Sequence, residues 1–310
     1  MQFAEQLAAR RPALLAAVPY AALPGIAPET VFEQLVRPRL QEFTRQAGHF
    51  RWVEGVGEEQ VVFLYRHLPW DTTFFGRAMA RLQAVVFGPA VRLPGLTAAI
   101  RQFSRHLAAT GQQHCYCEVA APDALLLTAL GRAGWATVET RLHYYHTLQP
   151  LPATRYPVRR ATAEDAEAVR RVAAINRNPA DRFHTDPFFS PEQGDAFLGE
   201  YAAATVRGYA DVVLVPQHGP LDSFLAIGYL AADARLLGCP LGRVVLTAVG
   251  AQNQGWHRPL LAETLWHLHQ RGSRYALLTT QAANRAVIHN CEVLGFRLGG
   301  LTHIVSWQAR

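Results

Sequence analysis

The stretch whose reading decides the fold is Arg243–Phe296, RVVLTAVGAQNQGWHRPLLAETLWHLHQRGSRYALLTTQAANRAVIHNCEVLGF. Its first seven residues, Arg243–Val249, are mostly β-branched and apolar, which predicts a strand. Gly250 and Gly255 punctuate the loop that follows, and an amphipathic pattern predicts a helix over Arg258–Gln270. Tyr275–Thr280 reads as a second strand. Asn284 opens a short helix, Arg285–Leu294, closed by Gly295-Phe296.

Outward from that stretch, Val158–Arg160 is a first strand, and Thr162 with Asp165 three residues on forms a capping-box signal for a helix through Ala174. Ser190-Pro191-Glu192-Gln193 repeats the logic, with proline in the first helical position, where its missing donor costs nothing. Strands are predicted at Asp211–Val215 and Phe224–Ala231, and closing strands reach Trp307. A short proline-rich linker, Gln149–Thr154, precedes this half.

The first half reads as a helical lead-in over residues 1–58, with Pro28-Glu29 opening an amphipathic stretch through Phe43. Strands then follow at Val61–Tyr65, Leu82–Phe87 and Gln113–Val119, helices at Leu96–Ala109 and Ala124–Arg132, and a last strand at Thr137–Thr147. One constant offset along the chain maps Gly111 onto Gly272, Asp123 onto Asn284, Gly134 onto Gly295, Trp135 onto Phe296 and His106 onto His267. One helix, strand, helix, glycine-aromatic unit thus occurs twice, which suggests a duplicated fold; the competing reading is that helix-strand-helix units commonly end in glycine.

Composition bounds these readings. A chain of 310 residues favours two domains, and 50% hydrophobic with 17% charged residues excludes a largely disordered chain. The net charge of +6 comes wholly from arginine, since the sequence holds no lysine. The arginines are scattered, which argues against a nucleic-acid partner and suits small anionic ligands. Cys115, Cys117, Cys239 and Cys291 have no zinc-ligand spacing, so a reduced cytoplasmic setting without metal is expected. The apolar run after Arg10-Arg11 is broken by Pro12, Pro19 and Pro24, so neither export nor a membrane span is expected.

The order and spacing of Arg243–Phe296, with Thr279–Asn284 and Gly295-Phe296 inside it, resemble the acyl-CoA-binding half of the GNAT N-acetyltransferase superfamily. The resemblance implies an α/β (α+β) fold, with a mixed, mostly antiparallel sheet flanked by helices in the C-terminal half and a related, degenerate GNAT-like N-terminal half. It divides the chain into a helical lead-in (1–58), a degenerate GNAT-like domain (59–150) and an acyltransferase domain (155–310). It further implies acetyl-CoA as cosubstrate and direct transfer in a ternary complex.

An acyl-CoA site needs backbone donors at a helix N-terminus, because aligned amides and the helix dipole offset the pyrophosphate charge. Gln254-Gly255-Trp256-His257-Arg258-Pro259 stands where the superfamily has Q/R-x-x-G-x-G/A. Gln254 and Gly255 fit; His257 and Pro259 fill positions where small residues are usual, Pro259 removes a donor, and Arg258 supplies a compensating cation. An ordinary strand-to-helix connection is the competing reading of this loop. By resemblance, Leu246, Ala248 and Val249 belong to the strand that pairs with the pantetheine arm, an amide of Ala248 or Val249 polarises the thioester carbonyl, and Asn284 contacts the cofactor.

Cys291, seven residues and about two turns after Asn284, returns to nearly the same helix face. The family usually has tyrosine there to protonate the departing thiolate. Cys291 is therefore either that acid or a buried packing residue. In Arg182-Phe183-His184-Thr185-Asp186, His184 is a candidate base, and Arg182 and Asp186 are candidate substrate contacts, with an ordinary surface loop as the alternative. His267 and His269 read as surface or packing residues.

Within the superfamily, Leu68–Gly76, the Asp123…Gly134-Trp135 segment, and Arg182-Phe183 followed by Phe188 and Phe189 resemble two-domain acetyltransferases of nucleotide-linked amino sugars, of the dTDP-4-amino-4,6-dideoxygalactose (dTDP-fucosamine) kind. That implies a dTDP-amino sugar as acceptor and allows a homodimer. Another amine (amino acid, antibiotic or peptide) and a non-catalytic acyl-CoA-binding protein are the alternatives.

Overall fold

The computed structural model describes residues 2–176 and 178–309. It divides into two compact units, Met1–Arg141 with Gly300–Arg310, and Leu142–Gly299. The first opens with α1 (Gln2–Ala9), α2 (Arg11–Ala16) and α3 (Pro28–Val31), which runs through a π-helical turn into α4 (Arg37–Gln41). Then come β1 (His49–Glu54), β2 (Val61–His67), α5 (Pro69–Phe75), β3 (Met79–Phe87) and α6 (Leu93–Ala109). β4 (His114–Ala120), α7 (Ala124–Arg132) and β5 (Ala136–His146) follow.

The remaining elements are β6 (Val158–Arg160), α8 (Ala166–Ile175), α9 (Arg182–Thr185), α10 (Pro191–Ala204), β7 (Val212–Pro216) and β8 (Ser223–Tyr229). After them come α11 (Ala231–Leu237), β9 (Leu241–Val249), α12 (His257–Gln270), β10 (Tyr275–Gln281), α13 (Arg285–Val293) and β11 (Arg297–Gln308). No described helix is long and apolar enough to cross a membrane.

In the first unit the strand order is β1-β2-β3-β4, and β4 pairs antiparallel with β11 from Ala120/Thr302 to His114/Gln308. In the second the order is β5-β10-β9-β8-β7-β6. The last residues of β5, from Leu142, thus belong to the second unit, and β11 from Gly300 belongs to the first. The compact units divide at Arg141/Leu142, whereas the sequence places the division at the proline-rich linker. That linker is tied down inside the second unit: Trp266 of α12 donates to the Pro152 carbonyl at 3.0 Å, and Arg155 forks onto the buried Glu263 carboxylate at 2.8–3.1 Å.

The duplication reaches further than the sequence reading allowed. An offset larger by one position than that of the sequence reading carries Val61–His67 onto Ser223–Tyr229, Pro69–Phe75 onto Ala231–Leu237, and Met79–Phe87 onto Leu241–Val249. The two short helices end alike, on left-handed glycines Gly76 (φ 64°) and Gly238 (φ 62°). The original offset carries β4 onto β10 and α7 onto α13. The first 58 residues join the pattern: Pro28-Glu29 open one helix as Pro191-Glu192 open α10, and β1 pairs with β2 as β7 pairs with β8.

Residues 1–58 are therefore not a purely helical lead-in but the first helices and strand of the first copy. β1 escapes a sequence reading because its residues are only exposed or half-buried, which gives no apolar run. Within the segment Leu68–Gly76, Pro69–Phe75 form the helix α5.

Each unit folds around a sheet face covered by its long helix. In the first, Leu96, Ile100, Phe103 and Leu107 of α6 pack on Phe63, Tyr65 and Leu82. In the second, Leu260, Leu261, Leu265 and Leu268 of α12 pack on Leu225, Ile227, Ala276 and Leu278. Burying each such leucine stabilises by roughly 2 kcal/mol. On the opposite face of the second sheet, Val169 and Val172 of α8 and Ala202 of α10 cover Phe224 and Ala226.

Candidate active site

The second unit's sheet opens between β9 and β10. The two run parallel and pair only at Leu241/Tyr275, Gly242/Ala276 and Arg243/Leu277, although β9 continues to Val249 and β10 to Gln281. The cause lies on the other side of β9. Ala226 of β8 faces Leu246 and Ile227 faces Val244, so Val245 is an extra residue, a bulge that twists β9 away from β10. Val244–Val249 remain half-buried, and their backbone groups on the β10 side form an edge able to pair with an extended ligand.

The loop from β9 to α12 closes one end of this opening. The Gly250 N–H donates to the Asp222 carbonyl at 2.6 Å, and the Asp222 carboxylate accepts from the Gln252 N–H at 2.7 Å. A Cβ on residue 250 would stand 2.1 Å from that carboxylate, so any other residue would displace the Asp222 side chain. Gly255 (φ 88°) turns the chain into α12 with nothing within 4 Å of a would-be Cβ. The first amides of a helix lack intrahelical acceptors; Pro259 has no N–H, so His257 and Arg258 supply them here, beside the exposed Arg258 side chain.

The five expected loop contacts therefore separate. Gln254, Gly255 and Arg258 are exposed, Trp256 packs partly into the core, and His257 turns inward. Asn290 of α13 donates its Nδ2 to His257 Nδ1 at 2.9 Å, while His257 Nε2 is buried without a partner. Burial pushes the imidazole down to about 4, so it is neutral and carries its proton on Nε2.

Asn284 caps α13, its Oδ1 accepting from the Val287 N–H at 3.3 Å. Cys291 does not share its access. It is 0% exposed within the core beneath α12, and burial, with Glu292 nearby, pushes its thiol up to about 12. A thiol so placed packs the core of the second unit.

Arg182–Asp186 is not an open loop. Arg182–Thr185 form the short helix α9, capped by Asp181, whose Oδ1 accepts from the Phe183 N–H at 2.8 Å. His184 Nδ1 lies 2.9 Å from Asp181 Oδ2, and its Nε2 lies 3.1 Å from Asp195 Oδ1 on α10. Both ring nitrogens thus face carboxylates, and the imidazole clamps α9 to α10. Arg182 and Asp186 are both buried; Arg182 lies over the Phe183 ring at 4.1 Å, and Asp186 accepts from the Phe188 N–H at 3.0 Å. The segment binds α9 to α10 and to the aromatic cluster of Phe183, Phe189 and Phe197.

On the face of β10 away from α12, alternation places Thr279 and Gln281 together. His143 of β5 has its Nδ1 3.0 Å from the hydroxyl of Thr279, and Asn178 donates to Gln281 Oε1 at 2.6 Å. No local sequence signal pairs these residues, because β5 reaches β10 only through the long-range path of the chain. Among the described residues no group of His, Cys, Asp or Glu is gathered to hold a metal.

The first unit repeats the opening and fills it. β3 and β4 pair only from Met79/His114 to Leu82/Cys117, and a bulge at Gln83 matches the one at Val245. Arg10 places its guanidinium 4.2 Å over the Phe87 ring at the end of β3 and forks onto Asp123, the counterpart of Asn284.

The chain as a whole has counterparts among solved structures. The fold is that of the GCN5-related N-acetyltransferases. The chain resembles such a protein from Sphaerobacter thermophilus at 17% identity, covering 98% of this chain and 93% of that one with a TM-score of 0.56. A second, from Kribbella flavida, is also 17% identical, with coverages of 88% and 93% and a TM-score of 0.50. A glucosamine N-acetyltransferase region of a fungal multi-domain GH3 β-N-acetylglucosaminidase is 12% identical over 99% of this chain and 37% of that one, with a TM-score of 0.58. No protein-family model and no curated protein sequence matches the chain.

Proposed function

We propose that the second unit transfers an acetyl group from acetyl-CoA to the amine of a small molecule, with a nucleotide-linked amino sugar as the acceptor, and that the first unit is a copy without that activity. The observation that carries this reading is the bulged edge of β9 diverging from β10 toward the N-terminus of α12. The donor set fits a phosphopantetheine ligand: an unpaired strand edge of Val244–Val249 for the amide-bearing arm, and amides of His257 and Arg258 with the Arg258 guanidinium for the pyrophosphate. Acetyl-CoA supplies the activated acyl group when bound.

The chain's own part is positional and electrostatic. Leu246 and its neighbours hold the arm extended, and an outward amide of Ala248 or Val249 donates to the carbonyl oxygen as negative charge grows there. Asn284 follows the end of β10 and opens α13. The acceptor approaches from the opposite face, where Thr279, Gln281 and Asn178 lie. His184 and Cys291 take no chemical part. The amino-sugar reading rests on the likeness of Leu68–Gly76 and the Arg182 segment to such enzymes and agrees with the glucosamine-acetylating structure above. Four buried free thiols suit a cytoplasmic setting.

Isothermal titration with acetyl-CoA tests the first step, and thiol release on adding dTDP-4-amino-4,6-dideoxygalactose or glucosamine tests the second. Saturable one-to-one binding with amine-dependent thiol release is expected. Binding without release on any amine would replace the enzyme by an acyl-CoA-binding protein, and no heat at two temperatures would overturn the reading.

A further inference from the structure

An amine that attacks an acyl carbon must first lose a proton, and the two residues the sequence nominates for acid-base work are both spent: His184 between two carboxylates, Cys291 in the core. Resting on the acetyltransferase reading above, we infer that Thr279 and His143 form the proton relay of the second unit, with the Thr279 hydroxyl as the group that touches the amine.

Four observations converge on the pair. Thr279 is exposed, and it faces away from α12 because its neighbour Leu278 lies in the core beneath that helix. It lies two residues beyond Leu277, the last β10 residue paired to β9, so it borders the opening at the level of the Val245 bulge. Its hydroxyl is 3.0 Å from His143 Nδ1, and His143 is only 8% exposed, which fixes the ring against the hydroxyl. On the same face, Gln281 and Asn178 are hydrogen-bonded at 2.6 Å, giving the amine-bearing molecule polar contacts beside the relay.

The first copy shows what the position becomes without the function. The offset that carries β4 onto β10 makes Glu118 the counterpart of Thr279, and Glu118 is engaged by Arg81 at 3.6 Å, by Arg141 at 3.7 Å and by the Thr302 hydroxyl at 2.8 Å. A carboxylate bound by two guanidiniums is locked in place. Thr279, by contrast, is an exposed residue whose hydroxyl is backed by an imidazole. The imidazole comes from β5, so the second unit draws this group from the strand that ends the first copy.

The step balances as follows. An ammonium proton of the acceptor passes to Thr279 Oγ1 as the hydroxyl proton passes to His143 Nδ1, which frees the nitrogen lone pair. The nitrogen then bonds to the acyl carbon, the carbon–sulfur bond breaks, and sulfur leaves with the electron pair. The second nitrogen proton passes by way of solvent to the thiolate, and His143 returns its proton to solvent through the Thr279 hydroxyl as the product leaves.

The test uses the full-length protein, acetyl-CoA and the two amines named above. Thr279→Val keeps the volume and removes the hydroxyl; it is expected to lower kcat at least 30-fold, while the acetyl-CoA Kd by titration and the melting temperature stay as in the parent. Thr279→Ser restores turnover to within a few-fold. His143→Ala lowers kcat similarly, and added imidazole recovers part of it. If the parent turns over and Thr279→Val does so equally well, or if Ser is no better than Val, the relay is overturned and the acetyltransferase reading stands. If the parent binds acetyl-CoA but acetylates no amine, both fall together.

Discussion

Arg10 and Asp123 form a buried, forked ion pair across the mouth of the first unit's opening, with side-chain exposures of 11% and 6%. In the second unit the same helix-start position holds Asn284, a neutral side chain that caps its own helix. The fold is thus present twice, with one opening bridged by its own chain. Removing one partner of a buried pair costs about 3–5 kcal/mol, because the other charge is left desolvated. Arg10→Ala is expected to destabilise the first unit by about that amount in urea unfolding. The acetyl-CoA Kd is expected not to change, since the proposed ligand site belongs to the second unit. A weakened Kd would place the cofactor in the first unit instead.

His257 sets a pH dependence of stability. Its folded value of about 4 lies below the ordinary histidine value of 6.5. Between the two the unfolded chain binds the extra proton, so stability rises with pH through this window and is lost as pH falls from 6.5 toward 4. The full swing is about 3 kcal/mol. His146 and His267, also lowered by burial, add to the slope in the parent protein. His257→Asn keeps an acceptor for Asn290 and removes the titration, so urea midpoints between pH 4 and 6.5 are expected to vary less in the variant. Parallel curves would mean that the imidazole is solvated.

The long-period features were legible in the sequence because they rest on apolar pattern and glycine stops. The predicted bounds of α7, β6 and β10 fall within a residue of those found, and the Thr162 and Ser190 capping boxes form as written. What stayed hidden depends on pairings across the chain. The Val245 bulge needs β8 beside it, the grip on Gly250 needs Asp222 at the start of β8, and His143 reaches Thr279 only because β5 joins the second sheet. Arg182–Asp186 reads as a polar loop because charge suggests exposure, yet its charges are turned inward onto capping and aromatic partners.

His184 is a clamp between α9 and α10. His184→Ala would leave the Asp181 and Asp195 carboxylates facing a void where an imidazole stood. A loss of about 2–4 kcal/mol in unfolding free energy is expected, with kcat per folded molecule within a few-fold of the parent. Collapse of kcat with an unchanged melting temperature would instead return His184 to the chemistry.

Cys291 sits fully buried with its thiol pushed up to about 12. Native protein at neutral pH is expected to leave Cys291 unmodified by a maleimide, with labelling following unfolding. Cys291→Ser buries a hydroxyl in place of a thiol and is expected to cost about 1–3 kcal/mol of stability with kcat preserved. Rapid labelling of the folded protein, or a large loss of kcat at saturating substrate, would restore the acid reading.

Asn284 has two separable duties, one structural and one toward the ligand. Its Oδ1 accepts from the Val287 N–H, a cap worth about 1 kcal/mol. Asn284→Asp keeps that acceptor and removes the Nδ2 donor, whereas Asn284→Ala removes both. If Nδ2 contacts bound acetyl-CoA, both variants weaken its binding, Asp the more because a carboxylate then faces an acceptor, and only Ala lowers the melting temperature. If Asn284 serves the helix alone, Asp binds acetyl-CoA as tightly as the parent, and any loss in Ala follows its loss of stability. Titration and melting of the two variants side by side therefore separate a ligand contact from a cap, which neither variant could do alone.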